Sequence, residues 1–528
     1  MSTLTGTRHL VRLILRRDRV LLPLWVLLLA LLPMTYATSF FELYPDAAQR
    51  TAYATGPATN PSIVALLGPV YGDSIGALTA QRGGFLTLII GLVSLLTVIR
   101  HTRTEEEAGR RELLGATVLG RHAGLAAALL VTYAANLLLG LLTVAGLVAT
   151  GLPAAGSLAY GLAAALAGVV FATVGGLTAQ LTETAGGARG IAVGVLGVAF
   201  ALRLVGDTAE RDWVSWLSPL GWAPRIRAYE GERWWVLVLP VVLSVLLAAL
   251  AYPLSVRRDL GAGLLPPRLG PADGGLAGPF GLAWRLHRGQ LIGWSVGFGL
   301  LGLVLGGAAE AAGKAVEGNA QVEEILARLG GTSALAEAYL GGTLGFVGLA
   351  AAGYGIQAAL RMRAEEVAGR AEPLLATAVH RFRWLASHLL FALAGPVVVL
   401  AVAGLAVGVT YGLGVGDVPG QLPRMVGVGL AQVPAAWVLA GLAVLLYGLL
   451  PRLAPVAWGA LAACVLLGQL GAVLELSQWL LDLSPFTHTP QVLGDDWTAT
   501  PLLTLTAIAL TLAATGTAAL HHRDLPTT

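Results

Sequence analysis

The sequence predicts an all-α, polytopic membrane protein of about twelve transmembrane helices, arranged as two parallel six-helix repeats. Three observations predict it. Apolar runs of roughly 20 residues recur along the whole chain, long enough for helices to cross a bilayer. Only 12% of the 528 residues are charged, about half the share usual in soluble domains. A charged segment, RTEEEAGRRELLGAT at 103–117, returns 260 positions later as RAEEVAGRAEPLLAT at 363–377.

The first half holds apolar runs near 20–41, 83–101, 122–150, 157–181, 189–206 and 235–256. The second holds them near 288–309, 342–361, 383–412, 424–450, 454–475 and 500–520. Before the first run, Arg8, Arg12, Arg16 and Arg19 fall at helical spacing. This suits an interfacial helix, and equally suits ordinary topogenic charge. The run from Val20 to about Phe41 is long enough to span and is closed by no A-x-A site, so it reads as a first span rather than a cleaved leader.

Residues 104–112 read as a short surface helix. Thr104 and Glu107 have capping-box spacing. Glu106–Arg110 and Glu107–Arg111 are i,i+4 pairs, and the second copy keeps Glu366–Arg370. The excess of basic residues in cytoplasmic loops accounts for the arginines but not for the glutamates or their repetition. Both segments therefore read as docking points for a soluble partner. The residues concerned are Arg103, Glu105, Glu106, Gly109, Arg110 and Glu112, then Arg363, Glu365, Glu366, Gly369, Arg370 and Glu372.

The repetition extends further. Arg16, Arg19 and Trp25 match Arg285, Arg288 and Trp294, and Leu217-Ser218-Pro219 matches Leu483-Ser484-Pro485. The expected division is a first six-span repeat at 1–256, a cytoplasmic linker at 257–283 and a second repeat at 284–528. The linker carries Pro266-Pro267 and a Gly/Pro-rich run from Gly270 to Pro279. With six spans each, the halves share one orientation, as parallel repeats about an axis along the membrane normal. The arginine-rich loops place both termini in the cytoplasm. The Ser-Pro pairs read as structural turns, since proline redirects helices.

Polar residues inside spans are few: Asn136, Gln180, Arg203, Gln432, Gln469 and Glu475 are candidates for a substrate pathway. A central arginine costs roughly 2.5–3.5 kcal/mol to insert, and Arg203 is expected to snorkel toward Asp207. Cys464 is the lone cysteine and the histidines show no ligand spacing, so no metal site is expected. No catalytic constellation is visible. Nucleic-acid binding is not expected, because the arginines sit at helix ends rather than along one face.

Ion-coupled carriers usually keep acids or histidines in their spans, and here the span interiors are almost free of acids, apart from Glu475 near a helix end. The chain also lacks a P-loop: Lys314 is its one lysine, and Ala315 follows it. An ATPase would have to be a separate polypeptide.

With these features the chain resembles type-2 ABC export permeases. Six spans per unit, a charged segment between the second and third, an amphipathic entry and a Ser-Pro turn before the sixth carry the resemblance. The fused form with two Arg-x-Glu-Glu-x-Ala-Gly-Arg motifs looks like polyketide-antibiotic exporters of the tetronasin-permease type. The resemblance implies coupling helices at 103–112 and 363–372. It also implies two copies of a cytoplasmic ATP-binding subunit carrying ATP and Mg, a small hydrophobic substrate and a bacterial plasma membrane location. The alternatives are an ion-gradient-driven secondary carrier and a non-transporting membrane scaffold.

Overall fold

The computed structural model describes residues 3–59, 61–115, 118–208, 212–259, 261–265, 278–314, 332–470, 477–490 and 498–523. Helices build the described residues, with no strand among them. Eleven helical stretches are long and apolar enough to cross a membrane. The place of the expected eleventh span is taken by a shorter helix, Val456–Leu470. Glu475 lies outside the described residues.

The chain forms two compact units, Met1–Gly270 and Pro271–Thr528. The segment expected as a linker is partly structured. The last span of the first unit runs to Arg257. Beyond it, the Leu264 and Leu265 amides donate to the carbonyls of Gln180 and Leu181, at 3.2 and 2.8 Å. The first helix of the second unit begins at Gly278.

In the first unit, the entry helix Thr7–Arg17 leads into the span Leu21–Leu43. That span buries Trp25, Val26, Leu29 and Ala30 while leaving Leu24, Leu27, Leu28 and Leu31 exposed. Exposed leucine is stable where hydrocarbon is the solvent. Helix Ala154–Leu181 is the most enclosed and packs against Leu86–His101, Ala123–Ala149 and Val238–Arg257. Small residues permit this. A Cβ on Gly140 would lie 2.7 Å from the Gly161 carbonyl oxygen, closer than real Cβ contacts allow.

Residues 47–85 fold into short helices tied to the spans. The Gln81 side-chain amide donates to the carbonyls of Ala58 and Gly68, at 2.8 and 3.0 Å. Ser218 is a helix N-cap: its hydroxyl donates to the Ala199 carbonyl at 2.6 Å and accepts from the Leu220 amide at 3.2 Å. Ser484 caps the short helix Pro485–His488 in the second unit.

The second unit contains Gly278–Lys314, Thr332–Ala359, the 35-residue helix Arg381–Val415, the pair Val418–Ala431 and Val433–Leu449, then Val456–Leu470 and Thr500–His522. Val433–Leu449 and Thr500–His522 approach closely where Gly448 faces the Gly516 backbone.

Candidate functional site

The repeated charged segment is two short helices in each unit, not one. Arg103–Glu107 and Arg110–Gly115 flank Gly109 in the first, and Arg361–Val367 and Ala371–Leu375 flank Gly369 in the second. Both glycines adopt φ 68°, the left-handed conformation that ends helices. Each donates its amide 2.9 Å to the carbonyl three residues back, Glu106 or Glu366. This explains why glycine stands at both positions.

The break also changes the expected pairing. Turning the chain at Gly109 brings Arg110 to Glu105, at 2.7 and 2.9 Å, and Arg111 to Glu106, at 3.2 Å. In the second copy Arg370 bonds Glu365 at 2.7 Å rather than Glu366. The i,i+4 pairs expected for one continuous helix are therefore replaced. The capping box is not formed either: Thr102 is the N-cap residue, and the Thr104 hydroxyl reaches back to the Ile99 carbonyl at 3.4 Å. The Glu107 carboxylate instead accepts from the Ala185 amide at 3.0 Å.

The motif residues divide into a buried set and an exposed set. Arg103 is wholly buried and donates to the Glu106 carboxylate at 2.6 Å and to the carbonyls of Glu183 and Gly261 at 2.8 Å. Glu106 also receives Arg258, which follows the last span of the unit, at 2.8 Å. Burial pushes the Arg258 pKa down, and the Glu106 carboxylate works against that shift. The second unit repeats the plan with other residues. Glu366 binds Arg523, again just past a last span, at 2.7 Å and accepts from the Tyr447 hydroxyl at 2.5 Å. Arg363 donates to the Pro451 carbonyl at 2.8 Å, and Glu365 also holds Arg361 at 2.9 Å.

Thus a carboxylate of each charged segment is clamped to an arginine at the end of its unit's last span. The exposed set is Glu107, Arg110 and Glu112 in the first unit, and Val367, Arg370 and Glu372 in the second. The glutamates that look most like docking residues in sequence, Glu106 and Glu366, face inward. In the sequence Arg258 and Arg523 stand only among the basic residues of the cytoplasmic loops, and nothing marks Tyr447. The signal available was the recurrence of arginine directly after each half's final apolar run.

In the first unit the described pathway candidates Asn136, Gln180 and Arg203 each take different partners. Asn136 is buried and bonds Ser94 at 2.9 Å across two spans. Gln180 sits at the charged end, accepting from Arg258 at 2.9 Å. Arg203 does reach Asp207, at 3.3 Å, but is fully buried rather than snorkelling to water. It also donates to the carbonyls of Leu66 and Gly84, at 2.9 and 3.3 Å. Asp207 in turn binds Arg225 at 3.0 Å and Ser215 at 2.7 Å. Gln432 is buried with its side-chain oxygen unbonded. The side chain of Gln469 lies outside the described residues.

A pair that sequence spacing concealed is His287 and His388, 101 positions apart. Their ring nitrogens lie 2.9 Å from each other inside the second unit, with Phe391 stacked on His287. Among the described residues no group of three or more metal-ligating side chains gathers.

The chain matches the family described as multidrug efflux system permease Rv1217c, C-terminal domain, twice, over residues 8–253 and 276–521. It is 47% identical over 527 residues to the multidrug efflux system permease protein Rv1217c of Mycobacterium tuberculosis, covering 99% of this chain and 96% of that protein.

Proposed function

The chain belongs to the Rv1217c family of multidrug efflux permeases, and from that premise we propose that it is the membrane subunit of an ATP-driven exporter. It is a membrane permease for efflux. A separate cytoplasmic ABC ATPase, in two copies, binds ATP and Mg and docks on the exposed faces of the two charged segments. The cargo is a hydrophobic or amphipathic compound of the antibiotic class. The setting is the plasma membrane, with both termini in the cytoplasm.

The observation that carries this reading is the clamp found in each unit: Glu106 to Arg258, and Glu366 to Arg523. A push on the exposed half of either segment reaches the last span of its unit through an ion pair, buried in the first unit and half-buried in the second. A partner moves the permease only if it binds two conformations with different affinity, and a stiff link between docking face and span is what makes such a difference usable.

The exposed residues give the cleaner test. Glu112→Arg with Glu372→Arg alters the docking face and leaves both clamps intact. The expected result is a chain that inserts and purifies but loses co-purifying ATPase activity and efflux. Retention of both by that double variant overturns the docking assignment. The buried His287–His388 pair favours a second reading, a proton-driven carrier. That reading predicts efflux that survives ATP depletion and stops when the proton gradient is collapsed.

A further inference from the structure

A cavity of about 530 Å³ opens at the charged end of the first unit. Its lining combines apolar side chains, among them Leu10, Leu13 and Ile14 of the entry helix, with Arg17, Arg111, Arg121 and Arg258 and the carboxylates Glu105 and Glu106. We propose that this cavity holds an anionic phospholipid, its phosphate among the arginines and its first methylenes against the leucines.

Three observations carry the inference. The first is excess positive charge. Arg103, Arg111 and Arg258 all share the Glu106 carboxylate, at 2.6, 3.2 and 2.8 Å, and Arg17 and Arg110 share Glu105. In the second unit the matching Glu366 takes one guanidinium among the described residues, that of Arg523, and the Tyr447 hydroxyl. Four arginines line the cavity against three acids, Glu105, Glu106 and Asp259, which leaves one positive charge that a phosphate would balance. Asp259, exposed at the rim, is the remaining acid in the lining.

The second observation is Arg121. It lines the cavity, is exposed, and forms no ion pair or hydrogen bond with a described residue. Gly120 and His122 beside it are pinned to the N-terminal segment, their amides donating to Thr5 and Thr3 at 2.9 and 3.0 Å. The backbone is held while the guanidinium is left unused.

The third observation distinguishes a lipid from a soluble anion. The apolar lining does not stop at the cavity mouth. Leu13 is 50% exposed and Leu15 48%, on an entry helix that also exposes Arg8, Arg12 and Arg16. Such a helix lies in a membrane interface with leucines toward the chains. Basic pockets between membrane helices at the headgroup level accept anionic lipid heads, and the volume falls within the range of ligand pockets.

The test uses the full chain, purified in mild detergent, with native mass spectrometry as readout. Phosphatidylglycerol and phosphatidylcholine are added in turn to the unsubstituted chain, Arg121→Ala, Leu13→Ser and Arg12→Ala. Arg121 and Leu13 are exposed, so thermal unfolding midpoints should match across the set. The expected result is one tightly retained phosphatidylglycerol, preferred over phosphatidylcholine. Its affinity falls about tenfold in Arg121→Ala and in Leu13→Ser and is unchanged in Arg12→Ala. Competition by inorganic phosphate with Leu13→Ser without effect would show a soluble-anion site and overturn the lipid assignment. Equal losses in Arg121→Ala and Arg12→Ala would show diffuse surface charge and overturn it too. Unchanged lipid retention in Arg121→Ala, with loss of the co-purifying ATPase, would give the cavity to a protein partner instead.

Discussion

Arg203 carries a full charge inside a membrane helix with none of its surface exposed. It is stable there because Asp207 and the carbonyls of Leu66 and Gly84 take up its donors, as a buried charge requires. The residue thereby fastens the short helices of 47–85 to the fifth span. Arg203→Met should cost about 3–5 kcal/mol, as removing one partner of a buried pair does. The check is the thermal unfolding midpoint of the purified chain, and Arg203→Met with Asp207→Asn should cost less than the two changes added. Asn136→Leu is a milder case. Hydrogen bonds between membrane helices are worth about 0.6 kcal/mol on average, so its midpoint should barely move while efflux persists. A large loss of efflux at normal stability would instead give Asn136 a place on the substrate path.

The charged segment owes its shape to one backbone angle. Gly109 stands at φ 68° with nothing within 4 Å of an added Cβ, so a side chain there meets only backbone strain. Gly109→Ala should cost about 1–2 kcal/mol, the penalty of left-handed backbone for an L-residue. Gly109→Asn should cost less, because asparagine tolerates that conformation. Both variants should keep their fold, and retention of the ATPase on purification should fall in the order Gly, Asn, Ala. The clamps make the complementary prediction. Arg523→Met leaves the half-buried Glu366 with the Tyr447 hydroxyl as its remaining side-chain partner from elsewhere in the unit among the described residues. It should lower efflux and coupled ATP hydrolysis more than it lowers binding of the partner, because the docking face is untouched. Equal losses of binding and efflux would show that the clamp holds the docking face rather than transmitting motion.

At the scale of the whole molecule the chain divides at Gly270 and Pro271 into two units, each with its own buried clusters. Each unit contains one charged segment and the arginine that clamps it. Separate expression of 1–270 and 271–528 should therefore give two chains that each insert, neither supporting efflux, while co-expression restores it. Protease accessibility reports insertion, and retention of a fluorescent substrate reports efflux. Failure of either half to insert would show that its helices need the other half to bury their polar groups.

The sequence by itself determined the helices, with eleven long apolar ones among the described residues where twelve spans are expected, and the two charged segments, because bilayer thickness and hydrocarbon solvent dictate run length and polarity residue by residue. It also marked the Ser-Pro turns and the partnership of Arg203 with Asp207, which are local in the chain. Tertiary structure decided which charges face inward. Glu106 and Arg258 are 152 positions apart, Glu366 and Arg523 157, and His287 and His388 101. No periodicity relates residues so distant. Their pairing follows from which helix ends the packed spans bring to one place, and buried charge then selects the nearest opposite charge.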